Sequence, residues 1–177
     1  GHGGTTDPGA VYQGRQEKND NLRMALAVGQ ILSENGVDVG YTRVQDVYQR
    51  PLQKAQMANN WEADYFVSFH RNAMPVPGTA SGTESLIFSR GGEAEQMASN
   101  INAELGQAGW NDLGTTERPG LIVLRKTEMP AVLVEVGFLD NPEDNQRFDA
   151  HFEHTARAIA DGILNTLRSP EGQPEYY

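Results

Sequence analysis

Residues 65–70 read YFVSFH and residues 131–137 read AVLVEVG, two short apolar runs that decide how the rest of the chain is arranged. Each is too brief for a helix and rich in aromatic or β-branched side chains, which marks a buried strand. Outward from them the spacing turns helical. NDNLRMALAVGQILSEN at 19–35 places Leu22, Ala25, Leu26, Gly29 and Leu32 on one face and stops at Asn35-Gly36. RPLQKAQMANN at 50–60 reads as a second helix with proline in its first turn. EAEQMASNINAELGQ at 93–107 and residues 151–167 supply two more helices. VDVGYTR at 37–43, TESLIFS at 83–89 and LIVLR at 121–125 read as further strands. Strands alternating with helices predict a single α/β domain, a mostly parallel twisted sheet with helices on both faces. The domain is expected over residues 1–168, with SPEGQPEYY at 169–177 as a linker or tail.

Composition limits the function. With 24 acidic and 14 basic side chains the formal charge is -10, which excludes a partner bound through clustered Lys and Arg, nucleic acid above all. There is no cysteine, so there is no thiol nucleophile and no thiolate metal site, and a metal must be held by nitrogen and oxygen. No apolar run approaches the roughly 18 residues of a membrane span, so no membrane insertion is expected.

In an open α/β sheet, active residues gather at the carboxyl ends of strands. His70 ends YFVSFH, and Glu135 lies near the end of AVLVEVG among valines that bury it. An acid in an apolar strand must be paired, protonated or beside a metal, and a buried salt bridge is the plain alternative. GHGGTTDPGA at 1–10 sets His2 among glycines, in a loop able to approach something closely. It would stand at a strand end too if a strand preceded it, and a first strand upstream of Gly1 is expected. A catalytic zinc takes three protein ligands, which leaves a third to find beside His2 and His70. Glu17, in GRQEKND just before the first helix, is either that ligand or a charged helix start; Glu84 is the next candidate. His151 and His154 in HFEH resemble a metal pair by spacing, but no strand end or glycine-rich loop accompanies them and a solvated helix face is the better reading. The loop RNAMPVPGTASG at 71–82, with two prolines and two glycines, is long enough to be functional.

GHGGTTDPGA, the acid of RQEKN, VSFHRNA, GTESLIF and VLRKTEMPAVLVEVGFLDNPED, followed by a closing helix, resemble in that order the zinc-dependent N-acetylmuramoyl-L-alanine amidases. The resemblance runs to about residue 168, and MPAVLVEVGFLDNPED is its most specific piece. It implies one zinc per chain bound by His2, Glu17 and His70, with Glu135 as the catalytic acid and base. The implied reaction is hydrolysis of the amide between N-acetylmuramic acid and L-alanine in peptidoglycan. It also implies a monomer acting outside the cell or in the cell wall, secreted or phage-delivered, with no signal visible in the chain. Other zinc hydrolases, such as a peptidase or deacetylase, would share the metal and the base. A phosphate cradle built on GHGG lacks the closing Lys-Ser or Lys-Thr, and an inert wall-binding module has no need of Glu135. The sequence departs from the family pattern at Arg71, expected as a long cation at the mouth of the site, and at Leu113-Gly114, where an Arg-Gly pair is usual.

Overall fold

A computed structural model describes residues 1–168; the tail expected at 169–177 lies outside the described residues. The elements in chain order are β1 (Val11–Tyr12), β2 (Arg15–Gln16), α1 (Glu17–Glu34), α2 (Pro51–Asn60), β3 (Phe66–Asn72), β4 (Thr83–Ile87), α3 (Glu93–Gln107), β5 (Asp112–Glu117), α4 (Ile122–Arg125), β6 (Ala131–Phe138), α5 (Pro142–Ala150) and α6 (Phe152–Leu167). β1 and β2 form a small antiparallel hairpin, and the main sheet has the order β3-β6-β4-β5. β3 pairs with β6 and β4 with β5 in parallel, while β4 and β6 run antiparallel, so the sheet is mostly parallel as expected.

Because side chains alternate across a strand, each strand serves both faces. Phe69, Val132, Val134 and Val136 pack with Met24, Val28 and Leu32 of α1, Met97 and Ile101 of α3 and Ile159 of α6. On the other face Phe66, Leu133 and Leu86 pack with Ala58 of α2 and with Val123 and Leu124 of α4. Helices therefore cover both faces, which is why the two central runs read as continuously apolar.

Three expectations fail. LIVLR is a short helix rather than a strand, because an apolar run of this length has no period to separate the two and its carbonyls bond locally, as Leu121 O accepts from Leu124 N and Arg125 N. β5, spelled DLGTTE, replaces it at the sheet edge; its polar residues gave no apolar signal because an edge strand need not be buried. It contains Leu113 and Gly114. VDVGYTR, finally, forms no ladder among the described residues.

Residues 37–43 instead stand off from β3 across a cavity of about 630 Å³, lined by Leu22, Ala25 and Gly29 of α1, Val39 and Tyr41 opposite, and Val67 of β3. The Gly1 amino group donates to Phe69 O at 3.0 Å beside it. The buried stripe of α1 includes Asn21, Met24, Val28 and Leu32, while Leu22, which lines the cavity, and Leu26, both of the predicted face, are half-buried.

Candidate metal and acid-base site

Three segments converge beyond the carboxyl end of β3. Glu17 is the first residue of α1 rather than the one before it, His70 lies near the end of β3, and His2 sits in the opening loop. That loop is folded back by Gly3 N donating to Asp7 O at 2.9 Å, and His2 itself has φ of 60°, in the left-handed region. Gly9 must be glycine: its φ is 71°, and a Cβ there would strike Glu17 Oε2 and the His2 ring.

Glu17 Oε1 is the hub. His70 Nδ1 lies 3.0 Å from it and His2 Nε2 3.3 Å. One ligand atom from each of His2, Glu17 and His70 falls within 4.8 Å of the others. The far nitrogens are occupied as well: His2 Nδ1 is 2.7 Å from Asp7 Oδ1, and His70 Nε2 is 3.0 Å from Ser68 Oγ. Metal-binding imidazoles are oriented through their second nitrogen in this way, so two nitrogens and a carboxylate oxygen facing one point fit a zinc ion. Asp7 was missed in the sequence; its signal was its place in the turn that closes the His2 loop.

Glu17 is almost fully committed. Its Oε2 accepts from Ala10 N at 2.8 Å, and Oε1 also accepts from Arg71 N at 3.1 Å and Asn21 Nδ2 at 3.3 Å. Burial alone would raise its pKa, but hydrogen bonds to His2 and His70 and their charge hold it far below the usual carboxylate range. Burial lowers His70 to about 4, keeping it neutral and able to ligate at neutral pH. For His2, burial opposes the hydrogen bonds that Glu17 and Asp7 accept from the ring, and the net shift is upward.

Glu135 is the register partner of His70 on β3 and of Glu84 on β4, so the three side chains share one face of the sheet. Its Oε2 is enclosed and has no hydrogen-bond partner among the described residues. Burial first, then the charges of Glu17 and Glu84, raise its pKa to about 8. A carboxyl group near neutrality can both take and return a proton. The buried salt bridge weighed for Glu135 is absent among the described residues. Glu84 stands beside Glu135 rather than in the cluster, and His151 and His154 are exposed and remote from it.

Arg71 is a correction. It is 2% exposed and points away from the site mouth, because the residue after His70 must face the other side of the strand. Its Nη1 donates to Asp20 Oδ2 at 2.7 Å and its Nη2 to Asn145 Oδ1 at 2.8 Å, with the guanidinium 4.3 Å from the centre of the Phe148 ring. It ties α1 to α5 behind the cluster.

The long loop, which starts at residue 73 because β3 runs to Asn72, is held at both ends by the segment after β6. Met74 N donates to Asp140 Oδ2 at 2.9 Å, Gly82 N to Asp144 Oδ2 at 3.0 Å, and Asn141 Nδ2 to Ala80 O at 2.9 Å. Its middle is bare, with Val76 62% exposed.

A His-Glu-His cluster with an enclosed carboxyl group on the next strand, at the strand ends of an α/β sheet, defines a hydrolytic class of protein. A family profile described as N-acetylmuramoyl-L-alanine amidase matches residues 1–165. The chain is 37% identical over 169 residues to the sporulation-specific N-acetylmuramoyl-L-alanine amidase of Bacillus subtilis, covering 92% of this chain and 64% of that protein. It is 36% identical over 183 residues to the N-acetylmuramoyl-L-alanine amidase CwlM of Bacillus licheniformis, covering 100% of this chain and 70% of that one. Its fold is similar to the crystal structure of an N-acetylmuramoyl-L-alanine amidase from Clostridium difficile 630, with a TM-score of 0.90, 32% identity, and coverage of 96% of this chain and 94% of that one. The chain belongs to the N-acetylmuramoyl-L-alanine amidase family.

Proposed function

We propose that residues 1–168 are a monomeric catalytic domain that hydrolyses the amide between N-acetylmuramic acid and L-alanine in peptidoglycan, using one zinc ion held by His2, Glu17 and His70. The observation that carries this reading is the shared focus of the two imidazoles on Glu17 Oε1, each ring fixed through its other nitrogen, beside an unpartnered Glu135. Family membership supplies the bond. Action outside the cell or in the cell wall follows from the substrate, and no helix among the described residues is long and apolar enough to cross a membrane.

Zinc, when bound, supplies Lewis-acid polarisation and a water acidic enough to be a nucleophile at neutral pH. Glu135 takes the proton of the attacking water on its carboxylate and delivers it to the departing alanine nitrogen, so the leaving group departs as a neutral amine. The pKa near 8 belongs to the metal-free protein; positive charge at the cluster lowers it and leaves Glu135 ionised to act first as base. Asp7 and Ser68 hold the rings and Arg71 N holds Glu17, so the ligands do not reorganise during the reaction. The loop at 73–82 forms one wall of an open groove suited to a polymer.

Dialysis against a strong chelator should abolish release of new alanine amino groups from purified cell walls, and added zinc should restore it. Full activity in metal-free protein overturns the zinc assignment. Release of acetate in place of alanine amino groups overturns the choice of bond.

A further inference from the structure

The loop that carries His2 is gripped by three cations, and each takes hold of a backbone carbonyl. Arg43 Nη2 donates to Gly1 O at 3.1 Å and to Lys18 O at 2.9 Å. Lys54 Nζ donates to His2 O at 3.2 Å, and Lys18 Nζ to Gly4 O at 2.9 Å. Asp46 completes the grip, accepting from Lys18 Nζ at 2.6 Å and from Gly4 N at 2.7 Å. Lys18 and Lys54 are buried. Neither Lys54 nor Arg43 has a carboxylate within ion-pair distance among the described residues.

This arrangement is electrostatically adverse. An ammonium buried without a counter-ion is costly, and cations beside a site for a dication repel what the site is meant to hold. Something other than charge balance must explain them. The backbone supplies it: His2, Gly3 and Gly4 have φ of 60°, 141° and 74°, three consecutive residues on the positive side. Such a run persists only where its surroundings over-determine it. Strong donors on the carbonyls of residues 1, 2 and 4 do so, because a charged donor fixes a carbonyl direction more firmly than a neutral one.

We propose that Lys54, Lys18 and Arg43 are positioning residues that hold the His2 loop in its metal-ready conformation, at an electrostatic cost to the metal. This rests on the zinc reading above. The two physical effects of removing a cation have opposite signs, which makes the proposal testable. Relief of repulsion tightens zinc binding in Lys54→Met; loss of positioning weakens it.

The measurement is zinc affinity of the chelator-stripped full chain, by competition with a chromophoric chelator, for the parent, Lys54→Met, Lys18→Met and Lys54→Arg. Positioning predicts that each methionine variant binds zinc about 10–100-fold more weakly, the range lost when an outer partner of a ligand is removed. Lys54→Arg, which keeps a charged donor, recovers most of the affinity. The visible spectrum of the cobalt-substituted methionine variants should change, which mere loss of fold stability in a correctly folded protein would not produce. Amide exchange at Gly3 and Gly4 in the metal-free protein should accelerate while amides of β6 stay protected. Equal or tighter zinc binding with unchanged exchange overturns the cradle. A parent that binds no zinc overturns the zinc reading, and the exchange rates then decide the cradle alone: faster exchange at Gly3 and Gly4 supports it and unchanged exchange overturns it.

Discussion

Glu17 and Glu135 both stand next to His70, one from the start of α1 and one from β6, and their surroundings treat them in opposite ways. Glu17 meets two imidazoles, two backbone amides and an asparagine, and its proton is lost far below the usual range. Glu135 faces Glu84 and the charge of Glu17 with one oxygen unpartnered, and its proton is retained to about 8. The same side chain is thus held ionised where donors saturate it and kept protonated where it is deprived of them. What separates the two is the supply of donors, since Glu17 and the Oε2 of Glu135 are both buried.

The largest expected effect comes from stripping the support behind the saturated side. Arg71→Met leaves Asp20 buried with only Arg15, 2.8 Å away, as a cationic partner, and should cost about 3–5 kcal/mol of unfolding free energy in denaturant titration. A cost under ~1 kcal/mol would show that Arg15 alone neutralises Asp20. Next is Glu17→Gln, which removes the hub itself. Zinc affinity should fall by more than the ~10–100-fold typical of losing an outer partner, compared apo against apo so that bound zinc does not mask the stability change. Stoichiometric zinc at nanomolar free metal would end the distinction between the two acids.

Glu135→Gln tests the deprived side. Turnover should fall by ~10² or more while zinc content stays near one per chain; loss of zinc would make Glu135 a ligand. The same variant exposes a pH signature. A carboxyl whose folded pKa lies above its unfolded value stabilises the fold fully below the unfolded value and loses that contribution as pH rises to the folded one. Metal-free parent protein should therefore lose thermal stability relative to Glu135→Gln as pH rises from about 4.5 to about 8. Glu17 works in the other direction, stabilising above its unfolded pKa and less as acid protonates it. The smallest effect belongs to the groove wall: Val76→Ala, at a 62% exposed position, should change stability by no more than ~0.5 kcal/mol and act, if at all, on KM for cell walls.

Much of this was legible. The continuous apolarity of AVLVEVG announced a strand covered on both faces, and the one acid in it stood out because nothing in its neighbours could satisfy it. His70 followed from the strand-end rule, but Glu17 could not be separated from a helix start without the family pattern, since the contacts that distinguish them come from residues 2, 10, 70 and 71. Arg71 was misread although the signal was present, because alternation places neighbours of His70 on the opposite face. β5 was missed since a polar edge strand carries no burial signal, and LIVLR was misassigned since four consecutive apolar residues carry no period. The slot beside β3 is a matter of what packs against α1, which no local pattern encodes.

The alternation at His70 and Arg71 also sets where the chain tolerates changes of length. Between Phe66 and His70 a single inserted residue would turn the imidazole of His70 toward Asp20, and a single deleted one would present the guanidinium of Arg71 to His2 and Glu17, because either change exchanges the two faces of β3. Substitutions there alter packing by degrees, whereas a change of one in the count reverses the site outright. Past Asn72 the constraint lapses: between its anchors at Met74 and Ala80 the loop keeps no register with the sheet, and extra residues there can be accommodated without moving His2, Glu17 or His70.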